Sequence, residues 1–148
     1  MTNLDVVLLP CRGQQWLLFP QAVVGRVYPY APTLTAENAA YVVVGSMLVQ
    51  NENMPGFDFD FAGTEDSYYV LYRILLVSTI TNQSMYRRYA VISYGEPELL
   101  NIHEEDIQTL KGGHHRFIPQ QVAIVGHENK TIFLPDLPLF ESELRMRK

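Results

Sequence analysis

The chain has 148 residues, 47% of them hydrophobic and 18% charged, with 11 Lys+Arg against 16 Asp+Glu. This composition belongs to a folded chain of one domain or two small ones and excludes disorder over most of its length. The net charge of −5 argues against nucleic-acid binding, because such affinity comes mainly from cations that neutralise phosphates. The basic clusters are Arg87-Arg88 and Arg145-Met146-Arg147-Lys148. The apolar runs fall short of the ~20 residues a membrane helix needs, so no membrane insertion is expected. Cys11 is the one cysteine and cannot form an internal disulfide, and nothing near Met1 reads as a secretory signal, which points to the cytoplasm. Nine tyrosines on a weakly charged chain lean toward protein contact.

In chain order the sequence predicts short strands separated by turns. Val6 to Leu9 and Gln15 to Phe19 form a hairpin around Cys11 to Gln14. Val23 to Tyr28 is a third run, and a loop covers Tyr30 to Asn38. Met47 to Gln50 follows, then a loop at Asn51 to Asn53. In Pro55 to Phe61, Phe57, Phe59 and Phe61 alternate with Asp58 and Asp60. Gly63 to Ser67 marks the midpoint. Tyr68 to Ile80 and Tyr86 to Tyr94 form a second hairpin, Leu99 to Ile102 is a strand, and His103 to Asp106 starts one helical turn. Leu110 to Phe117 is an excursion. Val122 to Val125 and Thr131 to Leu134 flank a hairpin in which Gly126 and Asn129 can supply positive φ. Asp136 caps a last helix, residues 138–147, with Leu139, Phe140 and Leu144 as its apolar side. The count is ten strands in two groups of five.

Catalytic patterns are sparse. His114 and His115 are adjacent and cannot converge on one metal. No Cys-x-x-Cys, no G-x-S-x-G elbow and no phosphate-cradling glycine loop is present. Asp58 and Asp60 share a strand face, where two exposed side chains explain them better than a catalytic pair. Neither a catalytic residue, a cofactor nor a metal site is expected. The rival is a small β-barrel enzyme or ligand-binding protein with a pocket lined by Phe57, Phe59, Phe61, Tyr68 and Tyr69.

A set of backbone-shaping residues is more distinctive: Gly45, then Pro55, Asp58 and Phe59. Pro within a strand marks an edge or bulge. Asp58 can accept backbone N–H bonds at a strand end. With Met47 to Asn51 between them, these residues stand at the spacings of the CheW-like chemotaxis coupling proteins, which the chain resembles from Gly13 through Phe59. Gly95 to Ile102 with Asp106-Ile107, then Phe117 to Gly126 and Thr131 to Leu137, are similar to later parts of that family. The likeness covers roughly residues 6–145.

The resemblance implies a mainly β fold of two five-stranded SH3-like β-barrels packed together, with a short C-terminal helix. It places the first barrel at about 6–62 and the second at about 68–135. It implies a non-catalytic adaptor that couples the tip of methyl-accepting chemoreceptors to the regulatory domain of a CheA-type histidine kinase. The receptor groove would map onto Val24, Arg26, Val27, Gly45, Gln50 and Asn51, with Pro55 and Asp58 as structural positions. Two departures stand out: the family's Arg-Gly is Gln50-Asn51 here, and Arg26 stands where the family often has Glu. Asn51 can keep a positive-φ turn that Gly would otherwise supply. These departures suggest a divergent, ChpC-like accessory adaptor of a type IV pilus and twitching-motility array.

Overall fold

Four stretches of the chain are apolar at every position: Val6 to Leu9, Leu17 to Phe19, Ile74 to Val77 and Tyr89 to Ile92. Side chains alternate across a strand, so an unbroken apolar run is stable as a strand only where both faces are covered. The computed structural model shows how that is achieved; it describes residues 3–11, 15–29, 33–34, 43–49, 51–57, 73–80, 87–110 and 120–145. The elements are β1 (Asn3–Pro10), β2 (Gln15–Pro20), β3 (Val24–Pro29), β4 (Thr33–Leu34), β5 (Val43–Val49) and β6 (Glu52–Phe57). They continue with β7 (Arg73–Ser78), β8 (Arg88–Ser93), β9 (Glu98–His103), β10 (Ile107–Leu110), β11 (Gln120–Ile124), β12 (Thr131–Leu134) and the helix α1 (Leu137–Arg145). Short 3-10 turns occupy Gln21–Val23 and Glu104–Asp106.

The fold is mainly β, in two sheets with one short C-terminal helix. One sheet runs β10-β11-β12-β2-β1-β9 and the other β3-β7-β8-β6-β5-β4. Each therefore has six strands where five were expected; β4, only two residues long, and β10 make up the difference. The grouping also differs from the expected division near residues 63–67. The N-terminal hairpin β1–β2 belongs with β9 to β12, while β3 to β6 belong with β7 and β8. The physical reason is two parallel pairings, β12 with β2 and β6 with β8. Parallel neighbours need long connections, so their pairing leaves no local turn signal.

Three apolar clusters follow from this topology. The central one joins Val7, Leu9, Leu17 and Phe19 of one sheet to Phe57, Leu75, Val77, Tyr89 and Val91 of the other. The alternate residues Val6, Leu8 and Leu18 point the opposite way, with Ile102, Val122, Ile124 and Ile132. In the second sheet Ile74, Leu76, Ala90 and Ile92 do the same, with Val49 and Met54. Each outer cluster also gathers its sheet's separated strands: Tyr28 of β3 meets the cluster that holds Val49 of β5, and Ile107 of β10 meets the one that holds Ile102 of β9. The sheets are thus curled around their own cores and share a third. A backbone bond from the Tyr94 N–H to the Pro10 carbonyl, 2.9 Å, ties one sheet to the other.

Several local expectations are corrected. Glu52 and Asn53 are in strand β6, because Val49 pairs directly with Glu52 and shortens the connection to residues 50 and 51. In the β11–β12 hairpin, Gly126 takes the positive φ of 91° and Asn129 does not. Helix α1 begins at Leu137, whose buried side chain joins the central core, and the Asp136 carboxylate caps it by accepting the Leu139 N–H at 3.1 Å. Phe57 is fully buried, edge-to-face with Tyr89 at 5.8 Å, and belongs to the central core. Phe59, Phe61, Tyr68, Tyr69, His114, His115 and the 63–67 break lie outside the described residues.

Glu141, one turn beyond Leu137, is fully buried, and both of its carboxylate oxygens accept the Ile80 N–H at 3.0 Å. This carboxylate fastens α1 to the end of β7. Replacing Glu141 with Ala leaves a buried donor unsatisfied and should cost about 1–3 kcal/mol in urea unfolding, with Glu141→Gln retaining part of the loss. Burial, and then the nearby Glu141 charge, push the Tyr89 phenol well above its ordinary value of 10.0. Because the raised value belongs to the folded state, the stability it contributes is present below pH 10 and is lost as pH rises above it. Alkaline difference absorbance should therefore show identical titration curves for wild type and Tyr89→Phe until the fold gives way.

Candidate functional site

Strand β3 forms one edge of its sheet. Its register against β7 shifts between Val24↔Val77 and Val27↔Leu75, so Gly25 and Arg26 together stand opposite Leu76 in a bulge. Val77 and Leu75 belong to the central core, which places Val24 and Val27 on the face of β3 that looks toward the other sheet. Val24 packs against that core, whereas Val27 is 39% exposed. The seam between the sheets thus opens to solvent along β3. Arg26 is exposed in the bulge, and no side chain among the described residues pairs with it.

The second part of the expected groove lies on the β5–β6 hairpin. Gly45 pairs with Gly56, with a register shift between Val43 and Gly45, and Pro55 pairs with Ser46 and is half-buried. Asn51 occupies the turn with φ of 65°, the left-handed conformation expected of it. In the sheet order β7 and β8 stand between β3 and β6. Val24, Arg26 and Val27 are therefore brought together, while Gly45 and Asn51 form a separate group. Gln50 and Asp58 lie outside the described residues.

The two groups are linked by side chains that the sequence reading passed over. Arg88, at the start of β8, forms a hydrogen-bonded ion pair with Glu52, the residue after Asn51. The hydrogen bond and the charge of Glu52 hold the Arg88 guanidinium above its ordinary value, with a lesser contribution from Tyr28 of β3. Glu52 and Arg88 thus join β6 to β8 at the rim of one curled sheet. The signal for this pair is the parallel β6–β8 register, which no local pattern reveals. Glu141 had a signal: Leu137 and Glu141 are four apart and share one helix face.

No family model matches the sequence, and no curated protein is similar to it in sequence. Among solved structures the fold is similar to the scaffolding protein TtCheW from Thermoanaerobacter tengcongensis, with a TM-score of 0.63 at 13% identity. The likeness covers 90% of this chain and 89% of that one.

A left-handed residue costs a side chain with a Cβ roughly 1–2 kcal/mol, which Gly escapes and Asn partly escapes. Asn51→Gly should therefore leave the thermal midpoint unchanged or raise it, and Asn51→Val should lower stability by about 1–2 kcal/mol. A loss with Gly equal to that with Val would show that the Asn51 side chain, not its backbone, matters. The fold, two curled sheets that share a core, is similar to that of a CheW scaffolding protein.

Proposed function

We propose that this protein is a non-catalytic adaptor of a chemosensory array, coupling chemoreceptors to a CheA-type histidine kinase in the cytoplasm. The observation that carries the reading is the fold's full-length likeness to a CheW scaffolding protein, spanning 90% of this chain and 89% of the other. The open seam beside β3 supports it, because a half-exposed valine next to buried ones gives a partner helix an apolar contact. No helix among the described residues is long and apolar enough to cross a membrane. The adaptor role requires no cofactor. The rival aromatic pocket loses Phe57, which the core already fills.

In this reading the receptor tip, a helical hairpin, lies against Val24 and Val27, and the kinase regulatory domain packs sheet to sheet. The departures at Arg26 and Gln50 fit a divergent accessory adaptor, of the kind that serves type IV pili and twitching motility. The test is calorimetric titration of the protein with the regulatory domain of a CheA-type kinase and with a chemoreceptor hairpin from the same genome. Saturable binding at micromolar concentration is expected for at least one of them. Val27→Asp should weaken the receptor contact by about tenfold or more while leaving the melting temperature nearly unchanged, since the site is already partly wet. Absence of binding to either partner at several hundred micromolar would overturn the adaptor role.

A further inference from the structure

Glu141 is a fully buried charge that the adaptor role does not use. Its helix α1 leaves β12 after only Pro135 and Asp136, so at its start it belongs to the sheet that holds β12. Ile80, whose N–H both Glu141 carboxylate oxygens accept at 3.0 Å, follows β7 of the other sheet. Thr79 extends the β7–β8 pairing, its N–H and hydroxyl donating to the Arg87 carbonyl at 3.0 and 3.1 Å. The Ile80 N–H is the next backbone donor along, and it turns to the helix instead. α1 thus reaches across from one sheet and is held on the other through Glu141.

The strands make cores of their own beneath it. Each sheet has an outer cluster whose buried members are all strand residues. In the shared core, every buried member besides Leu137 is likewise a strand residue. The Tyr94 N–H to Pro10 carbonyl bond and the short crossing through Gln21–Val23 join the sheets without help from α1. A helix of nine residues does not persist by itself in water, so α1 is helical because it is docked. Elements held by few buried contacts open before the body they rest on.

We propose that α1 is a strap that opens as a unit while both sheets stay folded, with Glu141 as its latch. Opening withdraws Leu137 from the shared core and bares apolar surface between the sheets. The choice of a carboxylate suits release. Its hydrogen bonds oppose opening, yet the charge regains its hydration once the helix lifts. A leucine in its place would lose apolar burial on opening and gain nothing from water. The device is independent of the adaptor reading, and the failure of either leaves the other untouched.

The experiment is amide hydrogen exchange of the full chain, followed residue by residue by NMR at increasing urea below the unfolding transition. The amides of Leu139, Glu141 and Ile80 should share one exchange rate, faster than those of Val7, Leu76 and Val91 and nearly independent of urea. The strand amides should quicken steeply with urea and meet the strap amides only near the transition. In Glu141→Ala the Leu139 and Ile80 amides should exchange about tenfold or more faster, still with little dependence on urea. Should that variant fail to fold, Glu141→Gln supplies the comparison, and the wild-type curves test the opening by themselves. Strap and strand amides lying on one curve with one urea slope would show that α1 leaves only when the whole chain unfolds, and would overturn the proposal. A smooth gradient of rates rising from Glu141 to Arg145, with Ile80 as slow as the strands, would show fraying of a chain end and overturn it too. Unchanged strap exchange in both variants would remove Glu141 as the latch.

Discussion

The shared core between the sheets is the constraint on which the remaining structure depends. Val7, Leu9, Leu17 and Phe19 on one side and Leu75, Val77, Tyr89 and Val91 on the other exclude water from both sheets at once. Every one of these residues lies on β1, β2, β7 or β8, and each of those strands also sends its alternate side chains into an outer core. Such strands have no solvent face, so a one-residue slip would exchange two apolar sets without exposing either. Register must then come from elsewhere. The hairpin links, the Tyr94 to Pro10 backbone bond and the Glu141 clasp on Ile80 supply it.

Because the centre of the molecule is filled, half-exposed groups lie at the rims, with Ser93 and Glu141 as buried polar groups among the described residues, and the rims differ. At one sheet Arg26 and Arg87 are exposed. On the other sheet Lys130 is nearly enclosed, 5.0 Å above the Trp16 ring and 3.7 Å from Glu98. That cation is used to pin the β11–β12 hairpin to β2 and β9. Similar residue types therefore do different work: Lys130 is spent on internal packing, while the arginines remain available to a partner. The distinction follows from enclosure, since a cation over an aromatic face and beside a carboxylate gains little from a further partner.

Much of the architecture is legible in the sequence, and what is missed shares one cause. Hairpins β1–β2, β7–β8 and β11–β12, the helical turn at Glu104–Asp106 and the Asp136 cap all rest on local chemistry that the chain displays. The left-handed Asn51 is in the same class. What local chemistry does not display is which hairpin belongs to which sheet. The parallel contacts β2–β12 and β6–β8 join segments far apart in the chain, and they carry the interleaving of the sheets. The same contacts hide the Glu52–Arg88 pair, since Glu52 looks like a loop residue until β6 is set beside β8. Of the candidate site, the closeness of Val24, Arg26 and Val27 follows from their sharing one short strand, but their separation from Gly45 and Asn51 by β7 and β8 has no local signal.

That separation bears on how the rim can evolve. Gln50 stands where the family that the sequence resembles has Arg, and a guanidinium is present at Arg88, hydrogen-bonded to Glu52. Arg26 has no such counterpart among the described residues, and its exposed position in a bulge costs the fold little. Bulges re-aim side chains at sheet edges, where backbone groups are free of the core's packing. A fold with a filled centre and irregular edges can thus retain its architecture at 13% identity.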